Sequence, residues 1–372
     1  MRPRVLFVGR HRYSLPLSGS LALKFDALAE ELELRVLASA APGSPTRGGP
    51  FVLVPPLRPR PLDGLLFYLT LPLRVARELR RFRPDAAVAE SAYEALAVLL
   101  ARRLARSPVR LVLDVHGDWR TATRLYGSPL RRLLSPLADR LGDEAVRRAD
   151  AVRTISTFTT ELVRRAGVEP AATFPAFMDL APFAEPPLEP LPERPRALFV
   201  GVLERYKNVD GLAEAWRRAA PRVPDAELVL VGRGTLTEVP QRLVEELPAQ
   251  TRWVESVPTE GVAQALDGAS LLVLPSRSEG MGRVLVEALL RGRPVLATRV
   301  GGIPDLVRDG ENGVLVEPGD TAALADALAA LLSDRERLER LAAGARASVE
   351  PWVASPAEYA RRVRSLVEAA LA

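Results

Sequence analysis

The chain has 372 residues and no cysteine. Disulfides, thiolate metal sites and a cysteine nucleophile are therefore excluded. Histidine is almost as scarce, with only His11 and His116. Aromatic residues make up 5% of the chain, and the arginines are spread along it without basic–aromatic interleaving or zinc-finger spacing. Nucleic acid is not an expected partner. Long apolar runs are missing as well. Val5, Leu6, Phe7 and Val8 follow Arg2 and Arg4, but the run is too short for the apolar core of a signal peptide. The stretch 65–73 contains Pro72 and falls well short of the ~20 residues that cross a bilayer. The cytoplasm is the expected location, with the inner membrane surface as the alternative.

What is present is a globular composition, 48% hydrophobic and 26% charged, which argues against disorder. The length exceeds what one hydrophobic core usually organises, so two domains are expected. The net charge is +5 and the isoelectric point about 9.9. This excess reflects either a general richness in arginine or attraction to nucleotide phosphates or anionic lipid.

Short β-branched or apolar runs alternate with helical patterns. Strands are expected at 5–8, 34–37, 51–54, 86–89, 111–115 and 151–155, and helices at 20–31, 65–81, 92–106 and 130–148. Such alternation implies parallel strands with right-handed crossovers, the doubly wound α/β architecture. Pro182, Pro186, Pro187, Pro190, Pro192 and Pro195 then interrupt the pattern. Proline lacks a backbone donor and fixes φ, so 182–195 is expected to be a stiff linker. A second series follows, with strands at 197–200, 227–231, 271–274, 295–298 and 313–316 and helices at 209–220 and after Gly282. The expected organisation is a Rossmann-like domain over 1–181, the linker, a second Rossmann-like domain over 196–355, and a C-terminal amphipathic helix over 356–372. That helix either closes the second domain or crosses back to the first. Two such domains facing a cleft would bind ligand at the carboxyl ends of their strands.

Three strand-to-helix connections carry candidate chemistry. In the first, a strand ends at Leu274, a loop contains Glu279, Gly280, Met281 and Gly282, and a helix carries Arg283, Val284 and Glu287. Glycines let backbone N–H groups approach a ligand, and a helix N-terminus favours anionic oxygens, which together suit a diphosphate. Glu287 could accept from ribose hydroxyls and Glu279 from sugar hydroxyls. The plainer reading is a glycine-containing turn with Glu287 solvated. The second connection is Gly201-Val202-Leu203-Glu204-Arg205-Tyr206-Lys207-Asn208. Arg205 and Lys207 could stabilise charge on a departing nucleoside diphosphate, or could be ordinary exposed cations. The third is Asp114-Val115-His116-Gly117-Asp118. There His116 faces the expected cleft, or caps its own loop. His11, after the first strand, is a weaker candidate.

In this order, on either side of a proline-rich stretch, these segments resemble the GT-B fold retaining glycosyltransferases of family 4, the glycosyl transferases group 1. The stretch 275–319 carries most of the likeness. It has the E-x7-E pair (Glu279, Glu287), Gly292-Arg293-Pro294-Val295, Gly301-Gly302-Ile303-Pro304 and Asp309-Gly310-Glu311-Asn312-Gly313. Val231-Gly232-Arg233-Gly234 and Lys207-Asn208-Val209-Asp210 match the same family. The resemblance implies retaining transfer of a hexosyl-type sugar from a nucleotide-sugar substrate, with no metal or other cofactor. It implies that Lys207 and Arg205 stabilise the leaving diphosphate and that His116 and Glu279 contact the donor sugar. Gly201, Gly280, Met281, Gly282, Arg283 and Val284 would line the donor site, and Glu287 would bind ribose. Ser18, Gly19 and Ser20 stand where the family has a glycine-rich loop on the acceptor side. The family commonly has arginine where this chain has Val202, which leaves the phosphate contact to Arg205 or to Lys207 alone. The acceptor is unidentified: a saccharide, a lipid-linked molecule or a small molecule.

Two other activities share this two-domain shape: a non-hydrolysing nucleotide-sugar 2-epimerase and a non-catalytic nucleotide-sugar binding protein. Segment 65–83 poses a separate question. Its apolar start (Leu65, Leu66, Phe67, Tyr68, Leu69) and basic end (Arg74, Arg77, Arg80, Arg81, Arg83) fit peripheral contact with an anionic membrane. They also fit a helix packed on the first sheet with snorkelling arginines.

Overall fold

The structure is a computed structural model that describes residues 2–56, 60–120 and 135–372. The chain divides into two compact units, Met1–Asp179 with Ala354–Ala372, and Leu180–Val353.

Unit 1 is built on an eight-stranded sheet. Its strands are β1 (Arg4–Tyr13), β2 (Glu33–Ala40), β3 (Arg47–Gly48), β4 (Phe51–Val54), β5 (Ala86–Ala89), β6 (Arg110–Val115), β7 (Ala151–Thr154) and β8 (Ala172–Thr173). Their order is β3-β4-β2-β1-β5-β6-β7-β8, and all neighbours are parallel except β3 and β4. Successive side chains on a strand point to opposite faces. Leu6 and Val8 therefore join one core with α2 (Arg60–Phe82) and α3 (Ala92–Ala105), while Val5 and Phe7 join the other. That second core includes Phe25 and Leu28 of α1 (Gly19–Glu31) and Val363, Leu366 and Val367 of the helix Pro356–Leu371. The C-terminal helix thus packs in unit 1, beside α1. Of the helix expected at 130–148, Ser135–Arg148 is present; 130–134 lie outside the described residues.

β1 runs further than the expected 5–8. It shifts register between Val8 and Arg12, and Arg12 and Tyr13 continue to pair with Ser39 and Ala40 of β2. The polar run after Gly9 concealed this extension. Pairing with β2 supplies the hydrogen bonds that a loop would have sought elsewhere.

Unit 2 contains a six-stranded, wholly parallel sheet in the order β11-β10-β9-β12-β13-β14. These strands are β9 (Arg196–Val200), β10 (Glu227–Val231), β11 (Thr251–Val254), β12 (Leu271–Leu274), β13 (Val295–Thr298) and β14 (Gly313–Val316). Strands β3, β8 and β11 were not expected from the sequence. All three are short, β3 is exposed and β11 is only partly buried.

The proline-rich stretch 182–195 is fastened to unit 2. Its start is not linker but a short helix, Ala181–Ala184, in which the N–H groups of Phe183 and Ala184 donate to Leu180 O. Beyond it each proline offers a carbonyl but no N–H, and arginines supply donors to the carbonyls of the stretch. Arg291, 1% exposed, donates to the Pro186 and Pro187 carbonyls at 2.8 and 2.7 Å and pairs with Asp267 at 2.7 Å. Arg293, also buried, donates to Glu189 O at 2.6 Å and Pro190 O at 3.3 Å. Arg335 reaches Leu191 O and Pro192 O.

Candidate functional site

In a doubly wound sheet, ligands bind where the chain reverses its direction of travel across the sheet, at the strands' carboxyl ends. In unit 2 the chain moves outward from β9 through β10 to β11, then returns to β12 and continues through β13 to β14. The switch point therefore lies between β9 and β12. From β9 the chain runs through Gly201 to a 3-10 turn, Arg205–Lys207, that leads into the helix Val209–Ala219. From β12 it runs through 275–282 to the helix Arg283–Leu290.

These two connections bring Lys207 and Glu279 together. Lys207 Nζ donates to Glu279 Oε2 at 2.6 Å, and Ser276 Oγ donates to the same oxygen at 3.2 Å. Lys207 is buried, 9% exposed, so its charge requires such a partner. The loops are also tied through their backbones, Arg277 N donating to Tyr206 O at 2.7 Å. Gly301, with φ +55°, passes so close to the Glu279 loop that a Cβ on it would stand 1.6 Å from Glu279 O. A residue larger than glycine would push that carbonyl aside.

Just beyond the pair, the helix Arg283–Leu290 begins at Gly282 with no side-chain cap and no acidic residue in its first turn. Leu285 N already donates to Gly282 O at 3.0 Å; the N–H groups ahead of it and the positive end of the helix dipole suit an anion. Glu287, one turn in, is buried, and its Oε1 accepts from Arg283 Nε at 2.6 Å. Burial pushes its carboxyl up from the ordinary value, with Arg283 opposing. Glu287 is thus a withdrawn acceptor beside the helix start. Met281 and Val284 are buried, Gly201 and Gly280 are half-buried, and Arg205 and Val202 are exposed. Arg205 holds its connection to the β12 loop through its carbonyl, which accepts from Arg277 Nη1.

Unit 1 repeats the device. Its switch point lies between β1 and β5. His11, near the end of β1, meets Glu90, the residue after β5, at 2.6 Å between Nδ1 and Oε2. Gly9 makes the approach possible, because a Cβ there would stand 1.8 Å from Glu90 Oε2. The bond to Glu90 raises the His11 pKa above its ordinary value. Burial works against the Glu90 carboxylate, but His11, Lys24 and His116 outweigh it and hold its pKa down. Glu94 is buried and accepts from Tyr68 Oη at 3.0 Å; burial raises its pKa. Arg10, His11, Arg12, Tyr68, Glu90, Ser91 and Glu94 line an open cavity of about 550 Å³.

His116 follows β6 on the same sheet. Its Nε2 lies 3.0 Å from Asp114 Oδ2, which also meets Arg153 Nη1 at 2.6 Å. Burial opposes the Asp114 charge, but Arg153 and His116 outweigh it and hold its carboxyl well below the usual range. The His116 side chain remains 40% exposed. Ser18 and Gly19 are exposed at the start of α1, and Ser20 is half-buried. Among the described residues, no group of three or more His, Asp or Glu side chains could hold a metal ion. Among them, too, no helix is long and apolar enough to cross a membrane.

Glu90, Glu94, Ser276 and the role of Arg283 were not singled out from the sequence. Glu90 could have been, as the first residue past a strand at the switch point. Ser276 and Arg283 have no such signal, because their importance lies in the carboxylates they meet.

Residues 184–348 match the family model "Glycosyl transferases group 1", and residues 20–175 match "Glycosyl transferase 4-like domain". The chain is 40% identical, over 159 residues, to D-inositol 3-phosphate glycosyltransferase of Nocardia farcinica, an alignment covering 40% of this chain and 35% of that protein. It is 35% identical, over 152 residues, to N-acetyl-alpha-D-glucosaminyl L-malate synthase of Bacillus anthracis, covering 41% and 40%. The match thus spans well under half the length of these curated relatives. Among solved structures, sucrose-phosphate synthase of Thermosynechococcus elongatus superposes with a TM-score of 0.80 at 20% identity, covering 99% of this chain and 100% of that one. Anabaena Alr3699/HepE in complex with UDP and glucose gives 0.71 at 19%, with 99% and 100% covered. These two likenesses bear on the fold alone, which is that of two parallel-sheet α/β domains of GT-B type. The two family models between them take in every strand of both sheets except β1, together with the Glu279–Glu287 helix start, and the chain belongs to the group 1 glycosyl transferases of the family 4 type.

Proposed function

We propose that the chain transfers a hexosyl unit from a nucleotide-diphosphate sugar to an acceptor hydroxyl, with retention at the anomeric carbon and without a metal. The observation that carries this reading is the Lys207–Glu279 pair at the switch point between β9 and β12, beside an uncapped helix start. A diphosphate at that start would meet backbone N–H groups and the Lys207 ammonium. Glu279 would then turn to sugar hydroxyls and Glu287 to the ribose. In the transfer, the bond from the anomeric carbon to the diphosphate oxygen breaks. The acceptor oxygen bonds to that carbon on the same face, and its proton passes to the departing diphosphate. Lys207 and the helix start stabilise the negative charge that develops there. His116 would contact the donor sugar, and Arg205 would add charge near the phosphates.

The acceptor belongs, in this reading, to the cavity of unit 1. Glu90 would accept from its hydroxyls, and Arg10 and Arg12 would favour negative charge on it. Two relatives carry the names of D-inositol 3-phosphate and L-malate, both hydroxylated and anionic, which supports that class.

A thermal-shift screen with UDP, GDP, ADP and their sugar conjugates tests the donor half, since a ligand that binds only the folded chain raises its melting temperature. One nucleotide sugar is expected to raise the Tm of the wild type, and to do so less in Glu287→Ala. If none raises it, the proposal is wrong.

A further inference from the structure

We propose that the outward face of α2 and α3 in unit 1 docks on the surface of an anionic lipid bilayer. Phe67, Leu71, Val75 and Leu79 of α2 are buried in the core. The face turned away from them carries Leu65, Leu69 and Leu73, which are 57%, 63% and 66% exposed. The spacing of four residues puts the three on one stripe. α3 packs beside α2 and adds Leu100 and Leu104, 47% and 45% exposed. Single exposed leucines are ordinary, but a stripe of them shared by two neighbouring helices marks an interaction surface.

The charge around the stripe selects the occupant. Arg77 and Arg81 continue α2 beyond Leu73, and Arg103 and Arg106 flank Leu104; all four are exposed. The carboxylates of these helices are withdrawn. Glu78 and Glu94 are buried, and Asp63 is 15% exposed and paired with Arg12. An apolar stripe edged by uncompensated arginines complements anionic headgroups over acyl chains. It suits a second copy of the chain poorly, because a two-fold interface would set the same arginines against one another. The helices remain in the fold and only their outer leucines would enter the lipid, so no segment has to span it. This surface is independent of the transfer reaction.

The test is co-sedimentation of the full chain with vesicles of phosphatidylcholine alone or mixed with phosphatidylglycerol. The wild type is expected to bind the mixed vesicles at least tenfold more strongly than the neutral ones. Binding should weaken as salt is raised. The triple variant Leu65→Ser/Leu69→Ser/Leu73→Ser should lose at least tenfold in binding while keeping its melting temperature, because the three side chains are already exposed. A second variant, Arg77→Gln/Arg81→Gln, should lower binding to the mixed vesicles only. No wild-type binding to the anionic vesicles overturns the proposal. So does undiminished binding by the leucine variant, and so does self-association through the leucines without vesicle binding.

Discussion

Lys207 Nζ and Glu279 Oε2 lie 2.6 Å apart although 72 residues separate them in the chain. They meet because β9 and β12 are neighbours in the sheet while their crossovers leave in opposite directions. A cation and a carboxylate are thus placed side by side at the carboxyl end of a parallel sheet, with a helix start adjoining. His11 and Glu90 stand in the same relation to the sheet of unit 1.

If Lys207 stabilises charge on a departing diphosphate, Lys207→Met and Glu279→Gln should each reduce turnover by about 100-fold or more, as loss of one transition-state charge stabiliser does. Both replacements keep side-chain volume and leave no bare charge of their own. Initial rates measured with whichever nucleotide sugar raises the melting temperature provide the check. Wild-type rates in both variants would place the chemistry elsewhere.

The His11–Glu90 pair should make stability depend on pH in two windows. The pKa of His11 is raised by Glu90 above its ordinary 6.5. Its contribution is therefore complete below 6.5 and is lost as pH rises through the higher folded value. Glu90 is held below its ordinary 4.5, so its contribution is present above 4.5 and lost as pH falls through the lower folded value. The pair is expected to stabilise most between about pH 4.5 and 6.5. Melting temperatures from pH 5.5 to 8.5 should fall more steeply for the wild type than for Glu90→Gln. Parallel curves would show that the pair does not persist in solution.

Arg291 holds the proline-rich stretch by donating to carbonyls that have no neighbouring N–H to replace it. Arg291→Leu would leave two carbonyls and the partly buried Asp267 without their donor, at a cost of about 3 kcal/mol, the low end for a broken ion pair because Asp267 can still reach water. A fall in Tm on the order of 10 °C is expected for a unit of this size, with earlier proteolysis in 182–195. Arg335→Ala removes a half-exposed partner of the same stretch and should cost no more than about 1 kcal/mol. Equal losses in the two variants would contradict this division of roles.

Segment 65–83 shows how sequence pattern and packing divide the information. Two readings were open, a membrane-facing helix and a core helix; the structure packs one side of α2 into the core and leaves the other side exposed. Phe67 is buried at 3% while Leu65 and Leu69 are exposed. Hydropathy alone does not say which leucine lies on which side, since that depends on the angle at which the helix meets the sheet.

Local order was legible in the chain itself. Alternation of strands and helices, the proline cluster, and the glycines and acids after Leu274 depend on backbone geometry within a few residues, so they can be read locally. The partners of the charged side chains could not be. That Glu90 lies over Gly9 against His11, that Arg153 joins Asp114, and that Arg291 fastens a stretch more than a hundred residues away follows from which strands lie side by side. Strand order is set by long-range packing of the whole sheet, and only the tertiary structure decides it.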